Sequence, residues 1–370
     1  MKTLETNQIS IERLDGRSDC GFLKREWSDL LERSTRPSIY ASYDFVRLAI
    51  RYFSKEAKEI LLLLVRDKTD DDRLLAIFPL GVWPNKKAKI KWENLNHAVS
   101  INTSDIDKPY PIIDASCELI CWQALRDFLA KDPVYWDSFT YDELIPDSYL
   151  YNHATKLFKL PRYWVRMRIG PTSNIVDLNQ SWHGFYKKHR NLRSKHKRIE
   201  RRLGERLHFN MCSDPNKVEP NLNDYIRTEK SSWKSEYGIG VCREFYLEFL
   251  AELAKDNRLY FGFLYDGDTI ISAEISYTYL DTVFFAHGAY DLDYKHFSPG
   301  TVSTSKSIQF FMDKGFKRGD FLAGYADYIE PWASLIEPTR RISIYNLKPS
   351  RVGRYSVVLI SKLVNKLLRK

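Results

Sequence analysis

The stretch that decides the fold is Ser298–Gly315, SPGTVSTSKSIQFFMDKG. It reads as a helix with both ends marked. Ser298 stands where an N-cap belongs, Pro299 takes the first helical position, where its missing N–H costs nothing, and Gly315 marks the stop. Val302, Ile308, Phe311 and Met312 supply part of an apolar stripe. The first turn is different: Gly300, Thr301, Ser303 and Thr304 crowd small and hydroxyl side chains around backbone N–H groups. Two readings fit. One is a well-capped helix. The other is an anion site made by three or four N–H groups and the positive end of the helix dipole, with Gly300 letting a phosphate approach closely.

The segments on either side favour strands. Arg258–Tyr265, Thr269–Tyr279 and Thr282–Tyr290 alternate or run apolar, and Asp266–Asp268 (DGD) turns the first pair into a hairpin. A short strand, Lys317–Leu322, follows the helix. The order strand, hairpin, strand, helix, strand predicts a twisted sheet that turns parallel at its end, with a crevice between diverging strands. Three acid–base candidates border it. His287, in FFAHGAYD, alternates to the face of Phe285 and Ala289 and is either a packed core histidine or a general base. Glu274 shares a face with Ser272, Ser276 and Thr278, which faces solvent, a covering helix or the crevice. Asp320 opens the cluster of Gly324, Tyr325, Asp327, Tyr328, Glu330 and Trp332, which is either a rigid aromatic turn or a functional loop.

With 370 residues the chain suits two domains, and 44% apolar and 14% aromatic residues support real cores. The net charge is +9, and it is concentrated. Between Lys187 and Arg206 ten basic residues face only Glu200 and Glu205, a local excess of +8. Within that stretch Phe185, His189, Leu192, His196, Ile199 and Leu203 recur at four and three, so a single helix from about Trp182 to Leu203 is expected, with an apolar seam and basic outer faces. Such a face suits phosphates of a small co-substrate, a tRNA or an anionic membrane surface. No base-reading module or interleaved aromatic series accompanies it, which argues against sequence-specific DNA binding. Further helices are expected near Leu222–Glu236 and Arg243–Lys255, a late strand at RISIYNL, and a basic amphipathic helix at the C-terminus.

The first half reads as mixed: a helix at Tyr43–Phe53, strands at Ile60–Asp67, Leu74–Trp83 and Ala88–Trp92, a helix at Cys117–Ala130, and strands at Val134–Tyr141 and Tyr163–Ile169. Gly170–Asn174 (GPTSN) is the linker candidate, giving domains 1–172 and 173–370. Cys20, Cys117, Cys121, Cys212 and Cys242 form no metal-type pattern and read as reduced thiols, so no metal is expected. The longest aliphatic run, ILLLLV at Ile60–Val65, is too short to span a bilayer, and the N-terminus lacks the basic head and apolar stretch of a signal peptide. A cytoplasmic protein is expected, with attachment to the inner membrane face left open. Nucleophile-elbow, P-loop, dinucleotide and HExxH motifs are absent from the sequence.

From Ser181 to Leu335 the order of features resembles the CelD/BcsL-type acetyltransferase-like proteins, a branch of the GNAT fold related to the FemAB aminoacyltransferases. The residues that carry the likeness are SWHGFYKKHRNLRSKHKRIERRLGER, RTEKSSW, FYLEFLAEL, LYFGFLYDGDTIISAEISY, AYDLDYKHFSPG and GDFLAGYADYIEPW. Trp27, SIYASYDFVRLAIRYF, LLAIFPLGVW and YPIIDAS resemble the family's opening domain. The resemblance implies an α+β protein of two tandem GNAT-like domains, each a twisted mixed sheet flanked by helices. It implies acyl transfer from acetyl-CoA or another acyl-CoA to an amine or hydroxyl, with a small molecule or glycan precursor as acceptor, in cell-surface polysaccharide synthesis. Ser298, Pro299, Gly300, Thr301, Val302 and Ser303 would receive the donor. Trp233, Tyr290, Tyr294, Gly324 and Trp332 would meet substrate, with His287, Glu274, Asp320 and Tyr328 as catalytic candidates. Ile329 stands where the family usually has Lys. Two alternatives stay open: a FemAB-like transfer from aminoacyl-tRNA to a peptidoglycan precursor, and a non-catalytic scaffold of a polysaccharide-synthesis complex.

Overall fold

The computed structural model describes residues 8–35, 37–84, 93–97, 107–131, 134–234, 238–323 and 329–348. The expected strand at Ala88–Trp92, the loop residues Gly324, Tyr325, Asp327 and Tyr328, and the expected C-terminal helix lie outside these. The chain forms two units. One comprises Met1–Pro171 together with Pro338–Lys370, the other Thr172–Glu337. The sequence places everything after residue 172 in the second unit. The structure returns Pro338 onward to the first, because the strand Arg340–Asn346 inserts into the first sheet.

In the first unit, strands β1 (Ile9–Asp15), β2 (Glu59–Asp67), β3 (Arg73–Pro84), β4 (Glu93–His97), β5 (Ile112–Ile113), β6 (Ser138–Leu144) and β7 (Tyr163–Ile169) join Arg340–Asn346 in one sheet. β1 to β4 form an antiparallel meander, β4 and β6 are parallel, and Arg340–Asn346 lies antiparallel between β6 and β7. Helices α1 (Lys24–Glu32), α2 (Tyr43–Phe53), α3 (Glu118–Ala130) and α4 (Tyr149–Leu157) accompany the sheet. Residues Leu61 to Val65 and Leu74 to Phe78 are all buried, which explains why these strands read as continuous apolar runs. The strand expected at Val134–Tyr141 begins four residues later.

The second unit repeats this topology. Its sheet holds β8 (Ser173–Asp177), β9 (Leu207–Cys212), β10 (Leu259–Asp266), β11 (Thr269–Tyr279), β12 (Thr282–Tyr290), β13 (Arg318–Ala323) and β14 (Leu335–Glu337) in the order β14-β8-β13-β12-β11-β10-β9. β9 to β12 form the meander, β12 and β13 are parallel, and β8 lies antiparallel between β13 and β14. In each unit the parallel pair is joined through a helix, α3 in the first. The strand beside each pair enters from the segment after the other unit's sheet. This is the tandem arrangement of two mixed sheets that the resemblance implies.

Among the described residues five α-helices accompany the second sheet: α5 (Trp182–Lys188), α6 (Arg190–Leu203), α7 (Val218–Lys230), α8 (Arg243–Lys255) and α9 (Pro299–Asp313). α5 and α6 accompany α9, while α7 and α8 pack together. The expected single basic helix is broken at His189, whose backbone leaves the helical region at φ −100°, ψ 81°. The Arg193 guanidinium donates to the Tyr186 carbonyl at 2.9 Å and also to Lys187 O, so the freed end of α5 is satisfied. The seam itself is formed: Phe185, Leu192, His196, Ile199 and Leu203 are buried. The linker candidate is shorter than expected, since Ser173 already starts β8, and α7 ends at Lys230, before the expected Glu236.

Candidate functional site

β12 and β13 pair only from Thr282 to Phe284 and then part, while β12 continues to Tyr290. Just beyond the parting, β12 carries a bulge: Ile275 faces His287 but Ser276 faces Phe285, leaving Ala286 as the extra residue. The bulge reverses the alternation. Phe285 stacks on Phe321 at 4.3 Å and packs on Phe311 of α9, whereas His287 points to the other face, its ring edge-on to Tyr246 at 5.2 Å and near Tyr225 and Tyr277. The sequence placed His287 and Phe285 on one face; one inserted residue separates them. His287 does not line the cavity that α9 overlooks.

That cavity, about 340 Å³, is lined by Glu274, Tyr290, Ser298, Gly300, Thr301 and Thr304 among others. Glu274 projects from β11 toward α9, and the oxygens of its carboxylate accept hydrogen bonds from two hydroxyls one turn apart. Thr304 Oγ1 donates to Oε1, and Ser307 Oγ donates to Oε2 at 2.5 Å. The residue is buried at the cavity wall, and burial pushes its pKa up to about 7, against the opposing pull of the two hydroxyl donors. A carboxyl that titrates near neutrality beside a cavity has the properties of a general base.

The mouth of α9 forms the adjoining wall. Ser298 sits at the N-cap position in a left-handed conformation (φ 57°) and makes no side-chain cap. Its hydroxyl instead accepts from Arg198 Nη2 at 3.0 Å, and Thr301 Oγ1 accepts from Lys195 Nζ at 3.1 Å. Two cations of α6 therefore reach the first turn of α9, which contains no acid. Burial, and next the nearby Arg198, lower the pKa of Lys195. A Cβ at Gly300 would stand 3.1 Å from Tyr290 Cδ1, so any larger residue would push on the Tyr290 ring. The helix offers no side-chain acceptor for its first N–H groups, so dipole, N–H groups and two cations converge where an anion fits.

Other expected residues are placed elsewhere. Pro299 is buried; Val302 packs with Ile199, Leu203, Leu264 and Ile271; and Ser303 is buried with its hydroxyl unpaired. Tyr294 donates to Asp266 Oδ2 at 3.2 Å and leans on the same cluster. Asp320 is a structural clasp: Oδ1 accepts from Ser173 Oγ and from the Leu322 N–H, both at 2.9 Å, joining β8 to β13. Trp332 is in the core, 6.2 Å from Phe185, and Ile329 is fully buried in that cluster. The hydrocarbon at 329 fills core space, and a lysine there would have to bury its charge. Trp233, 70% exposed, lines the cavity. Sequence reading missed Lys195, Arg198, Thr304 and Ser307 as a set. Their signal was spacing: Thr301, Thr304 and Ser307 lie at intervals of three on one side of α9, and Lys195 and Arg198 on one flank of α6.

The first unit's counterpart of α9 is α3, and there the first turn carries Glu118. This buried carboxylate accepts from Thr35 Oγ1 at 2.5 Å and from the Tyr149 N–H at 2.8 Å. A carboxylate fills the place where the second unit gathers cations, so the anion site belongs to the second unit. Among the described residues no group of three His, Cys, Asp or Glu converges to hold a metal, and no helix is long and apolar enough to cross a membrane.

With this geometry in place, the comparisons define the class. Residues 187–329 match the family model described as "Acetyltransferase (GNAT) domain", a span that holds α6, the cavity and α9. The match lies within the second unit and marks it as similar to GNAT acetyltransferase domains. In fold the chain is similar to FemX (TM-score 0.59, 8% identity, covering 94% of this chain and 99% of that one). It is also similar to the L-PGS of Bacillus licheniformis (TM-score 0.53, 12% identity, 92% and 96% covered). A third likeness is the C-terminal domain of a "Putative Lysylphosphatidylglycerol Synthetase" from Agrobacterium fabrum (TM-score 0.50, 10% identity, 92% and 97% covered). At these identities the likeness is one of fold. No curated protein matches the sequence.

Proposed function

We propose that the second unit transfers an acyl group from a phosphate-bearing donor, an acyl-CoA, to an amine or hydroxyl acceptor. The observation that carries this reading is the convergence of Lys195 and Arg198 on the uncapped first turn of α9, beside a cavity floored by Glu274. Lys195, Arg198 and the N–H groups of Gly300 and Thr301 hold the donor's phosphates. The parted end of β12 receives the acyl-bearing arm, and its backbone N–H groups polarise the carbonyl. Glu274 takes the proton from the acceptor nitrogen or oxygen as that atom attacks the carbonyl carbon. The carbon–sulfur bond then breaks, and the leaving thiolate takes up a proton. Thr304 and Ser307 fix the carboxylate for this role. The acceptor in a glycan pathway rests on the CelD/BcsL resemblance alone.

The test is a thermal-shift titration with coenzyme A and short acyl-CoAs. Ligand at 100 times its Kd stabilises the folded protein by about 2.7 kcal/mol. The expected result is a concentration-dependent rise in Tm that Gly300→Glu abolishes, since the added carboxylate crowds Tyr290 and repels phosphate. No shift with any CoA overturns the reading.

One observation favours a second donor. Arg190, Lys197 and Arg201 are exposed on the outer face of α6 and have no acidic partner among the described residues. This ridge leads away from the α9 mouth and suits a longer polyanion, as in transfer from an aminoacyl-tRNA. Binding of tRNA with a steep salt dependence, and none of coenzyme A, supports that donor.

A further inference from the structure

The cavity has a second cationic corner that the donor does not use. Trp233 and Lys234 follow the C-terminus of α7 and line the cavity. Lys234 Nζ donates to the Gly288 carbonyl of β12 at 3.0 Å and lies 5.6 Å from the centre of the Trp233 ring. Lys295, at the end of the turn Leu292–Phe297, lines the same cavity and has no acidic partner among the described residues. Among the described residues Glu274 is the one carboxylate that lines the cavity, and Thr304 and Ser307 each donate to it. Trp233 is also strongly exposed. Trp27, Trp83, Trp122, Trp136 and Trp332 are buried and Trp164 is 42% exposed, while Trp233, at 70%, is more exposed still and stands at the cavity rim.

A flat apolar ring left in water beside a polar cavity is a stacking platform, and the Lys234 ammonium beside it, which also acts on the buried Glu229, together with Lys295 on the same cavity wall favours negative charge there. We infer that the acceptor is an acidic sugar, a hexuronate-type pyranose. Its C–H face lies on Trp233, its carboxylate meets Lys234 and Lys295, and its free hydroxyl or amine is directed toward Glu274. This assignment rests on the acyl-transfer reading for the acceptor's role, but the binding it requires needs no donor.

The experiment is calorimetric titration of the donor-free protein with methyl β-D-glucuronide and with methyl β-D-glucoside, with coenzyme A titrated separately. The glucuronide is expected to bind at least about tenfold more tightly than the glucoside. Lys295→Met removes most of that difference, and Trp233→Ala weakens both sugars by about tenfold. Both residues are on the surface, and circular dichroism checks that the variants fold. Equal affinity for the two sugars, no binding of either, or binding indifferent to Trp233→Ala overturns the inference, as does uridine 5′-monophosphate binding in the glucuronide's place. Coenzyme A binding without glucuronide binding overturns this inference alone. Glucuronide binding without coenzyme A binding leaves the acidic-sugar site standing and removes the acyl-CoA reading.

Discussion

Replacing Glu274 with Gln keeps the shape and removes the titration. In the folded protein burial raises this carboxyl from 4.5 to about 7. Folding therefore favours the protonated form, and the sign follows. Wild type has the full contribution of this group below about pH 4.5 and loses it as pH rises through about 7, because the ionised form must then be held in a buried site. The span between the two values corresponds to roughly 3 kcal/mol, taken as an order of magnitude at 1.36 kcal/mol per pH unit. Measured as Tm or denaturant midpoint, the stability of wild type relative to Glu274→Gln should fall from about pH 5 to about pH 8 and then level off. Turnover with acyl-CoA should drop by about 10²- to 10⁴-fold in the variant, with donor affinity kept. A stability difference that is flat in pH refutes the buried, shifted carboxyl. A variant with unchanged kcat refutes its role as base.

The remaining predictions separate site from scaffold. His287→Phe, on the face away from the cavity and among Tyr225, Tyr246 and Tyr277, should leave kcat and its pH profile unchanged; loss of the neutral-pH limb in a folded variant would return His287 to the mechanism. Asp320→Ala strands the Leu322 N–H in a buried site, while the Ser173 hydroxyl keeps the Leu322 carbonyl as acceptor, and should cost about 1–3 kcal/mol of stability, with activity per folded molecule retained. Trp332→Ala, a core truncation, should cost about 3–5 kcal/mol and lower Tm without a specific change in KM.

Much of this architecture was legible in the sequence because single signals agreed. Gly267, at φ 59°, turns the β10–β11 hairpin where DGD predicted it, and α9 starts at Pro299 as its composition demands. The buried runs of β2 and β3 could be read because both faces of that sheet are covered. What failed depended on tertiary detail. The bulge at Ala286 has no local signature, so period-two alternation put His287 on the wrong face. The break at His189 lies within an unbroken apolar seam and is stabilised by Arg193, a residue of the next helix. Arg340–Asn346 reads clearly as a strand, but nothing in its own residues says which sheet takes it. The candidate site was half visible: Gly300, Thr301, Glu274 and Trp233 were named from sequence, Lys195 and Arg198 only as members of a basic run. Their convergence on Thr301 and Ser298 spans 106 and 100 residues, a separation that no local pattern encodes.

The most direct test of the central claim is isothermal titration of coenzyme A into wild type and into the double variant Lys195→Met, Arg198→Met, repeated at low and high salt. Both side chains lie in the middle of α6, Arg198 exposed and Lys195 half-buried, and the apolar seam that holds the helix is untouched. The account predicts binding by wild type that weakens with salt, and affinity lower by about 10- to 100-fold in the folded double variant with a flatter salt dependence. Equal affinity in the two proteins would contradict it, because the donor's phosphates would then be held somewhere other than the mouth of α9.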